Sequence, residues 1–465
     1  MILRRITKNI SWLLLGNILS QGIVFVAIIR AATILPYQEF GIFAFAQAII
    51  NFFTRFTEFG LETVAVRKAT RDNETKHLFE HITGIRLSLS TIIIILITAF
   101  FFIDNRSNDA LILVVLSLSM IGISLSSEWY FLASEKMHIV AVVRTLRAAI
   151  FYIPLEFLLK SNPSGLFVSS VYSLSFISIH LIILIVFITA GKVAYSQITV
   201  TGLRDLARES FPIGLSSTMM QIPYYFGTFI IGILLTKEDV AKYSAAYRPI
   251  LAFWSFGIMA LYNAIFPIMN NFAKHIPTFS SFILSLTKIF IAGAILLIAL
   301  VYPLSDTILT LLYQGKYTDS VYVFELSLII VAIVLSRTAI EYSLLSMQLQ
   351  KYYTWGIFIV SVLYIVMGTM GGIFYGIQGV IVSSILSEMM YTTYLILQVK
   401  RYDDEIFYFP LFSKGVFVLL IILSLARNPF YLHPMVNGVL QIALAITLIF
   451  VLRIVSFKEL KNVVK

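Results

Sequence analysis

The sequence predicts an all-α, polytopic membrane protein of about fourteen transmembrane helices. Three observations carry that reading. Of 465 residues, 59% are hydrophobic and only 12% charged, about half the charged fraction of a soluble domain. Mean hydropathy is +0.91. Runs such as 92–103, 181–190 and 291–301 hold no charge at all.

A span needs roughly 20 mostly apolar residues. On that scale the first six spans fall at 9–34, 40–65, 82–103, 110–134, 139–159 and 165–190. The next six fall at 211–235, 240–270, 281–302, 320–348, 352–372 and 377–399, and a last pair at 410–426 and 436–455. The opening "MILRRITKNISWLLLGNILSQGIVF" continues into a full-length span without a small-residue cleavage site, so a retained first helix is expected. Cysteine is absent, which excludes disulfides and thiol chemistry.

Loop and span-end basic residues orient the chain. With the N-terminus inside, Arg4, Arg5, Lys8, Arg67, Lys68, Arg71, Lys76, Arg86 and Lys136 fall on the cytoplasmic side of the first half. Lys192, Arg204, Arg208 and most of the later basic residues join them. Arg106, Lys160, Lys237, Lys242, Lys316 and Arg427 fall outside, and the inner set outnumbers them by more than three to one. Both termini are expected in the cytoplasm. The net charge of +10 follows this topology and is no sign of a nucleic-acid partner.

Spans 1–6 and 7–12 read as two copies of one unit. "GLFVSSV" (165–171) matches "GVIVSSI" (379–385), and Glu128 matches Glu341 at nearly the same offset. Earlier, Gln21 matches Gln221 and "EFGIFAFA" (39–46) matches "DVAKYSAA" (239–246) at a smaller offset. The long segment 302–320, against its short counterpart 103–109, accounts for the change. Expected organisation is therefore an N-terminal lobe 1–190, a linker 191–210, a C-terminal lobe 211–400, and an appended helix pair with tail, 401–465. Parallel copies imply a pseudo-twofold axis along the membrane normal.

Charged residues inside spans are expensive and belong in a bundle interior or a wet cavity. Arg30, Lys288, Glu325 and Glu156 lie near span ends, where snorkelling to an interface is expected. Arg55, Glu58, Arg144, Arg147, Arg248, Arg337 and Glu341 lie deeper, as does Glu388. Arg55 and Glu58 share a helical face that Glu62 continues, and Arg337 and Glu341 are four apart, so an internal salt bridge is an equal reading for either pair. Arg144 and Arg147 have no carboxylate within four residues. They read as a cationic pocket for an anion, and a planar guanidinium fork suits a phosphate. Neutralisation across helices by a carboxylate such as Glu128 is the alternative. His180, in span 6, reads as a packing residue.

The N-terminal region resembles bacterial polysaccharide and O-antigen repeat-unit flippases of the multidrug/oligosaccharidyl-lipid/polysaccharide exporter superfamily. The resemblance rests on Asn9 and Trp12, "RAATILP" (30–36), "EFG" (39–41), "FGL" (59–61) and "RKA" (67–69). Later, "LYQGKYTDS" (312–320) and "YGIQGVIVSS" (375–384) extend it. It implies a lipid-linked oligosaccharide on undecaprenyl diphosphate as substrate, moved across the bacterial inner membrane without chemistry and without a cofactor. A glycan polymerase and chain-length machinery are the further partners it implies.

Substrate contacts are expected at Arg144, Arg147, Arg55, Arg248 and Arg337. Ion-coupling or salt-bridge roles are expected at Glu58, Glu128 and Glu341. No catalytic or metal-ligand arrangement is read. Two rivals differ in visible ways. An ion-coupled drug or cation antiporter of the same superfamily would favour twelve spans and acidic cavity residues. A membrane polymerase or ligase would display a large outer loop rich in catalytic polar groups, whereas 303–319 has only Asp306, Lys316 and Asp319 as charged groups.

Overall fold

The computed structural model describes residues 2–72, 75–103, 107–189, 199–258, 261, 265, 268–269, 276–401, 408–426 and 433–456. They form α-helices with short 3-10 and π segments, and no strand occurs among them. Eleven of the helical stretches are long and apolar enough to cross a membrane, with 222–234 a shorter apolar helix. The described residues fall into two compact units, Met1–Ser244 and Ala245–Lys465.

In unit 1, α1 (Ile2–Ile34) packs along α8 (Met137–Leu158), with α2 (Tyr37–Glu58), α3 (Leu61–Asp72), α4 (Thr75–Ile103), α5 (Ser107–Ser117), α6 (Ser119–Ser124) and α7 (Glu128–Ala133) between them in the chain. α9 (Gly165–Thr189) packs on α5, α6 and α8. Two further helices, α10 (Val200–Met219) and α11 (Ile222–Leu234), make up span 7 and pack on α3 and α2, which is why contacts group them with the first unit. α12 (Lys237–Phe253) runs across the division.

Unit 2 holds α13 (Ile276–Val301), α14 (Ser305–Tyr313), α15 (Val321–Ser346), α16 (Gln350–Lys400), α17 (Tyr408–Ala426) and α18 (Pro434–Val451). α16 is two spans. At Gly376 the backbone takes φ 59°, ψ −142°, a conformation open to glycine, and the helix doubles back. The arms are zipped together by Ser383 Oγ donating to Met367 O (2.8 Å) and Tyr394 Oη donating to Tyr352 O (3.2 Å). The spans expected at 352–372 and 377–399 are these arms.

Spans 2 and 7 are also broken, which their sequences did not announce. α2 ends where Phe59 (φ 31°, ψ 45°) and Gly60 (φ 74°) turn left-handed. Close packing holds the break in place. A Cβ on Gly60 would lie 2.8 Å from Gly214 N and Ser210 O, and one on Gly214 would meet the Phe59 ring at 2.5 Å. Below the break, Leu61, Val64, Ala65, Phe79, Ile82 and Trp129 bury one apolar cluster with Leu206 of α10.

Candidate functional site

The break in span 2 separates its charges. Arg55 Nη1 donates to Glu58 Oε2 at 2.9 Å, both partly exposed, so this pair is internally neutral. Glu62 starts a new helix and does not continue the Arg55–Glu58 face, contrary to the expectation from unbroken helical spacing. It lies within Coulombic reach of Glu58, Glu128, Arg86 and Arg144, and among the described residues it makes no hydrogen bond or ion pair.

Arg144 is fully engaged. Its Nε and Nη2 donate to Glu128 Oε2 at 2.9 and 2.7 Å, and its Nη1 donates to Asn17 Oδ1 at 2.7 Å. Neutralisation by Glu128 across helices therefore holds for this arginine. Glu128 opens α7, where the helix N-terminus further favours a carboxylate. Arg147, one turn along α8, differs. Its guanidinium carbon lies 4.2 Å from the centroid of the Phe176 ring, a cation–π contact, and among the described residues it makes no ion pair. Phe176 also stacks on His180, whose Nδ1 is 2.8 Å from Phe176 O; that imidazole is a packed side chain.

Arg86 is a buried charge that the candidate site residues left out. Read as a cytoplasmic span-end charge, it is 2% exposed and points into the bundle. Nη1 donates to Ser126 O at 3.2 Å, while Nε and Nη2 have no acceptor among the described residues. The signal was present, since Ser90 sits one turn on, buried, bonded to Ser124 Oγ at 2.7 Å and to Thr57 Oγ1 at 3.3 Å. A polar residue at i and i+4 in an apolar span marks an inward stripe. Arg30 and Glu156 likewise do not snorkel apart: they pair at 3.1 Å.

In unit 2, Arg337 bonds Glu388 through Nη1, approaches Glu341 at 3.5 Å through Nε, and lies 4.5 Å from the Tyr391 ring centroid. Tyr364 Oη donates to Glu388 Oε1 at 2.9 Å, and Tyr391 Oη to Glu341 Oε1 at 3.4 Å. Glu388, Tyr364 and Tyr391 were not among the expected site residues, because their partners lie up to 51 residues away in sequence. Arg248 lies elsewhere in the unit, near the Tyr313 phenol, which donates to Ala245 O at 2.7 Å.

Unit 2 also carries a half-open pocket of about 620 Å³ between α13, α15, the second arm of α16 and α17. Ile291, Ala332, Met389, Phe412, Phe417 and Leu420 are among its walls, and no lining side chain is charged. The hydroxyls that reach it are turned back onto their own helices, as with Ser336 Oγ to Ala332 O and Thr393 Oγ1 to Met389 O. Its interior is therefore hydrocarbon in character.

Two groups outside the spans titrate unusually. A hydrogen bond from Lys68 (2.7 Å), reinforced by Arg67 (2.8 Å), holds the Glu209 carboxyl below the usual carboxylate range. Burial pushes the Lys316 amine down to about 8.

Residues 6–273 match the sequence model of a family described as "Polysaccharide biosynthesis protein". The chain belongs to that family. A relative named "Putative O-antigen transporter", from Escherichia coli (strain K12), is 22% identical over 251 residues, which is 49% of this chain and 59% of that protein. The aligned stretch thus spans under two thirds of the relative. Among solved structures, "Lipid II flippase MurJ, inward closed conformation" matches with TM-score 0.76 at 15% identity, over 94% of this chain and 96% of that one. An inward-facing multidrug resistance MATE family transporter of the MOP superfamily matches with TM-score 0.62 at 13% identity, over 88% and 96% of the two chains. The structural likenesses fix the fold, which is that of MurJ and the MATE transporters.

Proposed function

We propose that the protein is a flippase that carries a diphosphate-linked oligosaccharide on a polyprenyl lipid from the cytoplasmic to the outer leaflet by alternating access. The carrying observation is Arg147, an arginine inside a span that stacks on Phe176 and makes no ion pair among the described residues. A guanidinium in that setting is matched by a phosphate, to which it donates two parallel hydrogen bonds. Support comes from the family and from the named functions of its relatives. Translocation changes no covalent bond of the substrate, so no catalytic group is required.

On this reading Arg147 contacts the headgroup, Arg144 is a strut held by Glu128, and Arg337 is held by its glutamates. Arg55 and Arg248 remain candidates for secondary contacts. The protein resides in the inner membrane with both termini cytoplasmic; reporter fusions at 200 and 239 should read inside and outside, and the reverse result would invert the topology.

Complementation of glycan export, normalised to membrane protein level, tests the headgroup contact. Arg147→Ala should lose export at normal abundance, with Arg147→Lys intermediate because charge remains but the fork is lost. The lost charged hydrogen bond is worth roughly 1.5–3 kcal/mol, or about ten- to hundredfold in affinity. Arg144→Ala should instead lower abundance, by leaving Glu128 unpaired. Normal export at normal abundance by Arg147→Ala would remove this residue from the substrate path.

A further inference from the structure

Outside the bundle interior, one carboxylate of unit 1 sits between two cations. Glu209 of α10 accepts Arg67 Nη2 on Oε2 at 2.8 Å and Lys68 Nζ on Oε1 at 2.7 Å. Both cations belong to α3, and neighbouring residues of a helix point about 100° apart. The two long side chains therefore close on the carboxylate from different sides, and each oxygen has its own cation.

Apolar packing beneath the cluster places it. α3 buries Leu61, Val64 and Ala65 together with Leu206 of α10. Leu206, Ser210 and Gly214 form the buried stripe of α10, four residues apart, and Glu209 stands on its exposed flank. The cluster is open to a ligand: the side chains of Arg67, Lys68 and Glu209 are 49%, 28% and 39% exposed. A solvent-facing pair of this kind contributes little, so a more highly charged anion can displace the carboxylate. A diphosphate diester carries two negative charges and answers both cations, whereas Glu209 answers them with one.

We propose that Arg67 and Lys68 form a docking seat for the diphosphate of the lipid-linked substrate at the membrane surface, and that Glu209 occupies it as an internal competitor until the headgroup arrives. A competitor must be ionised, and the contacts from Lys68 and Arg67 keep the Glu209 carboxyl so. A polyprenyl diphosphate holds its phosphates at headgroup level while its tail stays in hydrocarbon, and basic side chains at span ends lie at that level. Docking there precedes contact with Arg147 inside the span.

This inference rests on the reading of a diphosphate-linked substrate, and the test separates the two. The probe is farnesyl-diphosphate-N-acetylglucosamine, titrated calorimetrically at low salt into the full chain in phosphatidylcholine nanodiscs. Glu209→Gln removes the competitor and should tighten binding about two- to sixfold, the range set by an exposed ion pair that no longer competes. Arg67→Gln combined with Lys68→Gln should weaken binding by about thirtyfold. Adding Glu209→Gln to that pair should give no further gain. A merely structural role for Glu209 would not tighten binding, and its effect would not depend on Arg67 and Lys68.

If the parent does not take the probe, the substrate reading fails and the seat fails with it. If the parent takes it and Glu209→Gln gives no gain, only the docking seat is overturned; that variant decides alone should the Arg67 and Lys68 substitutions prevent folding. If Glu209→Gln gains while Arg147→Gln binds as the parent does, the seat stands and Arg147 leaves the substrate path. In nanodiscs that also contain phosphatidylglycerol the Glu209→Gln gain should persist. Its disappearance there would show that any anionic headgroup takes the seat, and would overturn the assignment to a diphosphate.

Discussion

Replacing Arg337 by methionine, nearly its size and uncharged, perturbs the most completely buried charge cluster of unit 2. Arg337 and Glu388 are 7% and 2% exposed at the side chain, and Glu341 is 17% exposed. One guanidinium faces two carboxylates, so its removal leaves both without a cation. Breaking a buried pair by deleting one partner costs roughly 3–5 kcal/mol, because the remaining charge is stranded. Glu388→Gln should cost far less, about 1–2 kcal/mol, since Arg337 keeps Glu341 and the amide oxygen still accepts from Tyr364. The double variant should recover part of the arginine loss, because only one stranded carboxylate remains. The assay is thermal unfolding of the detergent-solubilised protein followed by fluorescence-detected size exclusion. The arginine variant should melt lower by on the order of 10 °C if unit 2 unfolds cooperatively. A methionine variant that melts with the parent, or a Glu388→Gln variant that falls as far, would refute the view that Arg337 is the cation the cluster depends on.

Two further outcomes follow from local geometry. Gly376→Ala places a Cβ at φ 59°, ψ −142° and should cost about 1–3 kcal/mol, read as a lower melting temperature, whereas Gly293→Ala, with open space around it, should be neutral or better. Glu209 is held below its ordinary pKa by Lys68 and Arg67, so its contribution is present above the unfolded carboxylate value and is lost as pH falls through the folded one. Glu209→Gln should flatten that acid limb of the melting profile and leave the neutral-pH value nearly unchanged, because a solvent-facing ion pair contributes little. An unaltered acid limb would mean the pair is not formed in solution.

The helical class was legible, and most of the expected fourteen spans fall on the eleven stretches long and apolar enough to cross, because hydrocarbon burial is written residue by residue: a charge-free stretch of sufficient length can do little else. What sequence spacing could not supply was geometry set by distant partners. Glu128 reaches Arg144 from sixteen residues away, and Arg337 reaches Glu388 from 51. The helix-face argument for Arg55, Glu58 and Glu62 assumed an unbroken helix, and the Phe59–Gly60 turn cancelled it, because Gly214 of α10 offers a place for that turn to pack. Arg86 was read as a span-end charge because a charge count treats every basic residue near a span end alike. Only its neighbours, Ser126 and the buried Ser90, show that it faces inward.

The same interior chemistry is resolved oppositely in the two units, and that difference sorts four of the five candidate arginines. In unit 2 the carboxylates outnumber the guanidinium, and Arg337 is bonded by Glu388, approached by Glu341 and covered by Tyr391. An incoming phosphate would have to displace a buried carboxylate and then meet a second, so like-charge repulsion opposes it there. In unit 1 the guanidiniums are in surplus. Arg144 and Arg55 are each held by a glutamate, yet Arg147 is cushioned by an aromatic face that solvates a cation without neutralising it. An anion arriving at Arg147 displaces nothing charged. Within unit 1 the charge balance therefore favours an anion at Arg147, while within unit 2 it opposes one at Arg337.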